Sequence, residues 1–540
     1  MRNTPFLFVL LLFIVGATIQ AFTFPLMEGS DEPLHVTYTL HLRDTATLPD
    51  RATYLENCAR QQSGQPPLPY AIGAALLSIT DTPDVSCDAV FDHYFRTINN
   101  PWPLTPQPTR RDDNINNFLV TPGVEVAEGF PMALRTLRLL SVGWGALAVF
   151  AAWLAAGELF PRRSWRLTAV IFFAFTPTFF HLSGYYTNDT PAVALATLVT
   201  WGILRAVRVP VSLRETAAFG VLLGIGGLMK VSVLLLAPVY AFAIVWRNFD
   251  AMGRRGPPTI KTLVMIAPTV VTSLVIFGPW MLYGTLTHND PFGTGTHTHP
   301  TLNYDPPLGA LDIICGLPEI WRTYVGLLGY ANLYLPTNAY WLLGALVALG
   351  ALGWITSLFR GQRTRRSASL QVGQTIVLGL AALLLFVGFL RFYRVIFDVT
   401  GRLLLPGHIV YVAFIVAGLR ALGRRLHAER VLQTVAVCVS VTALAYTSTS
   451  LYAAYAPRTG GDMPTLQGPS YTFDDTVRLL GYHSDGDTFS DGIHTITLCW
   501  EALQPTDREA AYAVRYVKDG IPAAARTTVH GLGTYHSRVW

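Results

Sequence analysis

The arginines and lysines of this chain gather in short clusters between long apolar runs, and the clusters fill every second gap. Apolar segments occur near 6–24, 137–158, 167–183, 190–208, 216–230, 231–246, 262–283, 338–359, 371–391, 403–421 and 431–455. About 20 residues of helix are needed to cross the hydrocarbon core, so these runs read as about eleven transmembrane helices. Between them lie Arg162, Arg163 and Arg166; then Arg205, Arg208 and Arg214; then Arg254, Arg255 and Lys261; then Arg360, Arg363, Arg365 and Arg366; then Arg424, Arg425 and Arg430. With the N-terminus in the cytoplasm, every cluster falls on the cytoplasmic side, as the positive-inside bias requires. One miscounted helix would scramble that agreement.

Composition agrees with a polytopic membrane protein. The 540 residues are 51% hydrophobic and only 14% charged, against about 25% charged in soluble domains. The net charge of +5 sits in topology-setting clusters and forms no basic stripe with interleaved aromatics, which excludes a nucleic-acid partner. The first run has no small-x-small cleavage site and reads as a retained helix. The five cysteines contain no Cys-x-x-Cys pair, which argues against a zinc ribbon or a thioredoxin-like site.

The run from Pro66 to Thr80 is short and opens on two prolines. Counting it as a crossing would put the Arg162 cluster outside, so it is expected to lie along the outer interface. The extracytoplasmic parts are then loop 25–136, the turn near 184–190, loop 284–337, the stretch 392–402, and everything after about 456. Cys58 and Cys87 share the first outer loop, where a disulfide and two free thiols are both compatible with the sequence. From 457 onward Gly, Asp and Thr become common and alternation of period two appears, in His494–Trp500 and at Tyr512, Val514 and Tyr516. That pattern predicts a small β-sandwich-like extracytoplasmic domain over 456–540, whose last strand closes at Trp540 or continues beyond it. Residues 1–455 form the membrane domain.

The residues able to do chemistry concentrate on the outer side. Ser30 or Asp31 can cap a helix with Pro33 in its first turn, which would put Asp31 and His35 on one face; alternation through Val36, Tyr38 and Leu40 suits a strand equally. A carboxylate pair Asp31-Glu32 at the membrane edge can act as general base or bind a divalent cation. Asp189, in the short turn Tyr185–Pro191, either caps the next helix or faces the same zone with Asn188. Asn188-Asp189-Thr190 also fits a glycosylation sequon, too close to the membrane to serve as one. Lys230 sits at an outer helix boundary, where a lysine snorkels or pairs with an anion. Arg391, Arg394 and Arg402 cluster outside, against the bias of the other arginines, and suit phosphate oxygens, with pairing to Asp398 as the structural alternative. His288, His297 and His299 can ligate metal but match no familiar spacing.

Asp31-Glu32, Gln65-Pro66-Pro67-Leu68-Pro69-Tyr70, Asn188-Asp189, Lys230, Asn289-Asp290-Pro291 and Gly401-Arg402 through Pro406 occur in an order that resembles the fold-type-C glycosyltransferases, in particular the protein-mannosyltransferase and aminoarabinose-transferase-like branch of bacterial cell-envelope proteins. The resemblance covers about residues 1–455. It implies an all-α transmembrane enzyme that moves a hexosyl or pentosyl group from a polyprenyl-phosphate donor to an extracytoplasmic glycan, lipid or protein acceptor, inverting the anomeric carbon. Asp31 would be the general base, with Glu32 and Asp189 as acceptor contacts or, with Asp31, ligands of Mg, Mn or Zn. His35, Gln65, Tyr70, Asn188, Lys230, Arg394 and Arg402 would contact substrates. Gln65 stands where relatives often carry Lys or His, and Leu403 where Tyr is frequent. The competing classes are a transporter or flippase of lipid-linked glycans, which would show inverted repeats and midplane polar residues, and a scaffold presenting the β domain. No internal repeat is found.

Overall fold

The computed structural model describes residues 4–80, 84–95, 127, 129–251, 260–297, 303–331, 333–358, 372–396, 399–455, 466–473, 477–484, 496–503, 511–518 and 521–529. It is mainly helical. The elements of the first half are α1 (Thr4–Thr23), α2 (Glu32–Thr45), α3 (Leu68–Ser78), α4 (Cys87–Phe95), α5 (Phe130–Leu159), α6 (Arg163–Ala174), α7 (Pro177–Leu182) and α8 (Asp189–Arg208). They are followed by α9 (Leu213–Met229), α10 (Ala237–Ala251), α11 (Ile260–His288) and α12 (Ala310–Gly326). A two-residue hairpin, β1 (Leu327–Leu328) with β2 (Leu333–Tyr334), precedes α13 (Thr337–Leu358), α14 (Val372–Tyr393), α15 (His408–Arg425) and α16 (Glu429–Tyr455).

Among the described residues, nine helical stretches are long and apolar enough to span a membrane. The other two expected crossings have local reasons for falling short. The run at 167–183 is split into α6 and α7, because Pro177 cannot donate a backbone hydrogen bond and Thr176 adopts an extended conformation before it. α9 has 17 residues and starts on a capping box, in which the Ser212 hydroxyl accepts from the Glu215 amide at 3.3 Å and the Glu215 carboxylate accepts from the Ser212 amide at 2.8 Å. The apolar run at 66–80 forms only the 11-residue α3.

Close packing within lipid comes from small residues. Ala148, Ala152 and Ala155 of α5 and Ala192, Ala194 and Ala196 of α8 are fully buried in one core. α9 and α11 are joined by hydroxyl bonds to backbone: Thr269 donates to Thr216 O at 2.8 Å, Thr272 to Ala217 O at 2.9 Å and Ser273 to Gly220 O at 2.9 Å. Such contacts replace the hydrophobic drive that lipid removes. The opposite face of α11 carries Leu263, Val271, Val275, Leu282 and Leu286, all exposed on the surface that faces lipid.

In the long segment between α1 and α5, Cys58 and Cys87 form a disulfide. It ties the start of α4 to the segment leading into the 3₁₀ turn Arg60–Gly64, and the Thr37 hydroxyl of α2 donates to Cys58 O at 2.8 Å. Past α16 the expected strands are present as β3 (Tyr471–Phe473), β4 (Val477–Ser484), β5 (Ile496–Ala502), β6 (Ala511–Lys518) and β7 (Ile521–Val529). β3, β4 and β5 form one antiparallel sheet, and β6 pairs with β7 as a hairpin. His494 and Thr495 lie outside the described residues.

Candidate active site

Asp31 is the residue on which α2 opens. Its backbone is left-handed (φ 61°), a conformation that costs a non-glycine residue on the order of 1 kcal/mol. Its carbonyl accepts the first helical bond, from the His35 amide at 3.1 Å. Its side chain makes no cap hydrogen bond and turns instead to Arg402, with which it pairs directly. The helical alternative for this segment therefore holds, with the capping role of the carboxylate replaced by an ion pair.

Asp189 follows the same logic. It is the first residue of α8 after Asn188, and its carboxylate does not cap the helix. One oxygen pairs with Lys230 Nζ and the other lies 3.8 Å from Arg402 Nε. Lys230 is placed by a break in the chain: α9 ends at Met229, Lys230 is extended (φ −160°, ψ 128°), and the 3₁₀ turn Val231–Leu236 follows. Arg402 belongs to the 3₁₀ turn Gly401–Gly407 that leads into α15. Gly401 packs directly on the backbone of Ile320 in α12, where a Cβ would collide, and its amide donates to Thr323 Oγ1 at 2.8 Å. Two carboxylates and two cations thus alternate in one partly buried cluster, drawn from the ends of α2, α8, α9 and α15. The Asp31 side chain keeps 23% of its surface exposed, the Asp189 side chain 5%.

Burial pushes the Asp31 carboxyl up, but the Arg402 charge and hydrogen bond, with His35 once it is protonated in acid, outweigh it and hold the group below the ordinary carboxylate value. His35 is pushed down to about 4, first by burial, and is neutral at pH 7. Its Nδ1 bonds the Tyr70 hydroxyl at 3.0 Å and its Nε2 faces Thr187 Oγ1 at 3.4 Å. A second polar string crosses the site. Asn188 Nδ2 donates to Gln65 Oε1 at 3.2 Å, and Gln65 Nε2 meets His297 Nε2 at 3.0 Å. His297 is likewise pushed down to about 4 by burial.

Two expectations are corrected by these contacts. Glu32 does not face the cluster. Both its oxygens are held by Arg138, at 2.8 and 2.7 Å, and Oε1 also accepts from the Tyr186 amide at 3.0 Å. Arg394 is exposed, and among the described residues only its backbone is engaged, with Leu390 and Leu308. Its alternative partner Asp398 lies outside the described residues. Of the three histidines, His288 faces the Tyr283 hydroxyl at 3.4 Å and His297 faces Gln65 at 3.0 Å, and His299 is outside the described residues. Arg138 was missed by the sequence reading, which began the second crossing at 137. Its signal was a cation at the outer end of an apolar helix, a position that calls for an anionic partner.

No curated protein matches the chain by sequence. Among solved structures, ArnT from Cupriavidus metallidurans bound to undecaprenyl phosphate aligns over 84% of this chain and 77% of its own, at 13% identity and a TM-score of 0.47. The S. cerevisiae protein O-mannosyltransferase Pmt1-Pmt2 complex bound to the sugar donor aligns over 54% and 34%, at 14% identity and a TM-score of 0.36. The Archaeoglobus fulgidus oligosaccharyltransferase in complex with Zn and sulfate aligns over 82% and 53%, at 12% identity and a TM-score of 0.42. Residues 130–283, from the start of α5 into α11, match the family model described as dolichyl-phosphate-mannose-protein mannosyltransferase. Over that stretch, which carries Arg138, Asp189 and Lys230, the chain is similar to that family.

Proposed function

We propose that this membrane glycosyltransferase moves a hexosyl or pentosyl group from a polyprenyl-phosphate donor to a hydroxyl-bearing acceptor (glycan, lipid or protein) on the extracytoplasmic side, with inversion. The N-terminus is cytoplasmic in this reading, and the 456–540 β domain stands outside as an acceptor- or glycan-binding module. The observation that carries it is the alternating cluster Asp31, Arg402, Asp189, Lys230, which pairs a partly exposed carboxylate with two cations at one end of the bundle.

The bond between the anomeric carbon and the phosphate oxygen breaks as the acceptor oxygen attacks from the opposite face. The acceptor proton passes to Asp31, and the departing phosphate takes the electron pair and the new negative charge. Arg402 and Lys230 offset that charge. Arg402 links the two events: as its guanidinium turns toward the phosphate, Asp31 loses the partner that suppresses its basicity. Asp189 holds both cations in place. His35, Tyr70, Gln65 and Asn188 bind sugar or acceptor hydroxyls. Glu32 acts through Arg138 as a positioning residue, because it fixes the Asp31 turn to α5.

A divalent cation does not fit the Asp31, Glu32 and Asp189 set as it stands. Both Glu32 oxygens are bound to Arg138, and the other two carboxylates already face Arg402 and Lys230, which would repel a metal. No step is routed through one.

The test is transfer of radiolabelled sugar from polyprenyl-phosphate donors by membranes carrying wild type, Asp31→Asn or Asp189→Asn. Loss in Asp31→Asn at normal protein level supports the base. Transfer that survives in Asp31→Asn removes that role, and wild-type movement of labelled lipid across the bilayer without transfer sinks the enzyme reading.

A further inference from the structure

A second cation sits apart from the cluster. Arg51, in the turn after α2, is only 5% exposed. Its guanidinium lies 4.1 Å above the Trp280 ring and 5.4 Å from the Tyr283 ring, both on α11. Nη1 donates to the Asp290 carbonyl at 3.0 Å. Nε and Nη2 are buried without a partner, and so is the indole Nε1 of Trp280, itself 5% exposed. The nearby Asp290 carboxylate is engaged elsewhere, accepting from the Phe292 amide at 3.3 Å and the Gly295 amide at 2.6 Å. Among the described residues no carboxylate forms an ion pair with Arg51.

All three free groups are donors, and neither side chain can accept, so no choice of tautomer or amide orientation satisfies them. The Asp290 carboxylate is the nearest counter-charge but makes no ion pair with Arg51, and the two unpartnered donors of a guanidinium fork match the oxygens of phosphate. The aromatic shelf belongs to a helix whose other face meets lipid, with Leu282 59% and Leu286 75% exposed on either side of Tyr283. From these observations we infer that Arg51 and Trp280 bind the phosphate of a membrane lipid whose acyl or prenyl chain runs down α11. The site is separate from the transfer centre: Tyr38 and Tyr70, stacked at 4.1 Å, stand between it and His35.

Lipid retention tests this without any sugar transfer, so its outcome is independent of the proposed reaction. The full chain, purified in neutral detergent, is titrated with phosphatidylglycerol, phosphatidylcholine or undecaprenyl phosphate and read by native mass spectrometry and by melting. Wild type is expected to retain an anionic lipid at least tenfold better than phosphatidylcholine and to melt higher with it. Arg51→Gln should lose both effects, while Arg322→Gln, a surface control on α12, keeps them. One-for-one displacement of phosphatidylglycerol by undecaprenyl phosphate, dependent on Arg51, assigns the phosphate to the prenyl lipid; its absence assigns it to phospholipid. Equal retention by wild type and Arg51→Gln overturns the site. If Arg51→Gln does not fold, Trp280→Phe keeps the shelf and removes one donor: several-fold weaker retention supports the inference, and unchanged retention overturns it.

Discussion

Arg138 grips both oxygens of Glu32 in a pair with no exposed side-chain surface on either partner, while three further Arg138 bonds reach the carbonyls of Ala21, Phe24 and Pro25. The end of α1, the Asp31 turn and α5 are therefore joined at one guanidinium. Breaking a buried pair by removing one partner costs about 3–5 kcal/mol. Arg138→Ala and Glu32→Gln should both melt earlier, with their effects far from additive in the double variant. A Glu32→Gln protein that melts like wild type but has lost transfer would return Glu32 to direct chemistry.

Asp31→Asn should behave in the opposite way. Asparagine tolerates the left-handed backbone that Asp31 adopts, so melting should fall only by what the ion pair with Arg402 contributes. Transfer should fall by about 10²–10⁴, the usual worth of a general base. Comparable losses in stability and rate would make Asp31 a structural residue.

The pH dependence follows from Arg402. The Asp31 carboxyl is held below its ordinary value by Arg402, so it is ionised throughout the neutral range and the acid limb of kcat/KM lies below the ordinary carboxylate range. The stability it contributes is present above the unfolded-state value and is lost as pH falls through the folded one. In Arg402→Gln the burial that raises this carboxyl is no longer outweighed. The acid limb should move upward, with part of the lost rate recovered at alkaline pH. A variant profile that is lower but unshifted would separate Arg402 from Asp31 in function.

Reduction of Cys58–Cys87 should loosen the segment that delivers Gln65. The bridge spans a sequence separation of 29, for which loop-closure entropy gives about 3–4 kcal/mol. A reductant, or the paired Cys→Ser variant, should lower the melting temperature and raise KM for the donor. Unchanged melting would show that the segment is held by packing alone.

Gly64 meets the backbone of Gly293 and the hydroxyl of Thr296, leaving no room for a Cβ. Gly64→Ala should push the loop bearing His297 away from Gln65 and raise KM more than it lowers kcat. An equal fall in both would indicate general misfolding.

The sequence carried the charges of the site because desolvated ionisable residues at helix ends stand out against apolar runs, as Asp31, Asp189, Lys230 and Arg402 do. Their pairing was hidden, since it depends on four chain segments converging. Arg138 and Arg51 were overlooked for related reasons: one lies inside an apolar helix, and the other sits in a polar loop where arginine is unremarkable in sequence. The split of the third crossing was legible only in Pro177, and the choice between helix and strand after Asp31 was decided by Pro33 and the i,i+4 bond to His35.

The four charges at the centre sum to zero. A phosphate approaching this end of the molecule therefore meets little net field from the cluster, and added salt should scarcely slow its arrival. Entry becomes an exchange, in which the incoming anion takes cations already engaged by carboxylates. Selection then rests on whichever ligand has enough apolar tail to stay while that exchange is completed, which favours a long-chain lipid over free sugar phosphates in the surrounding water.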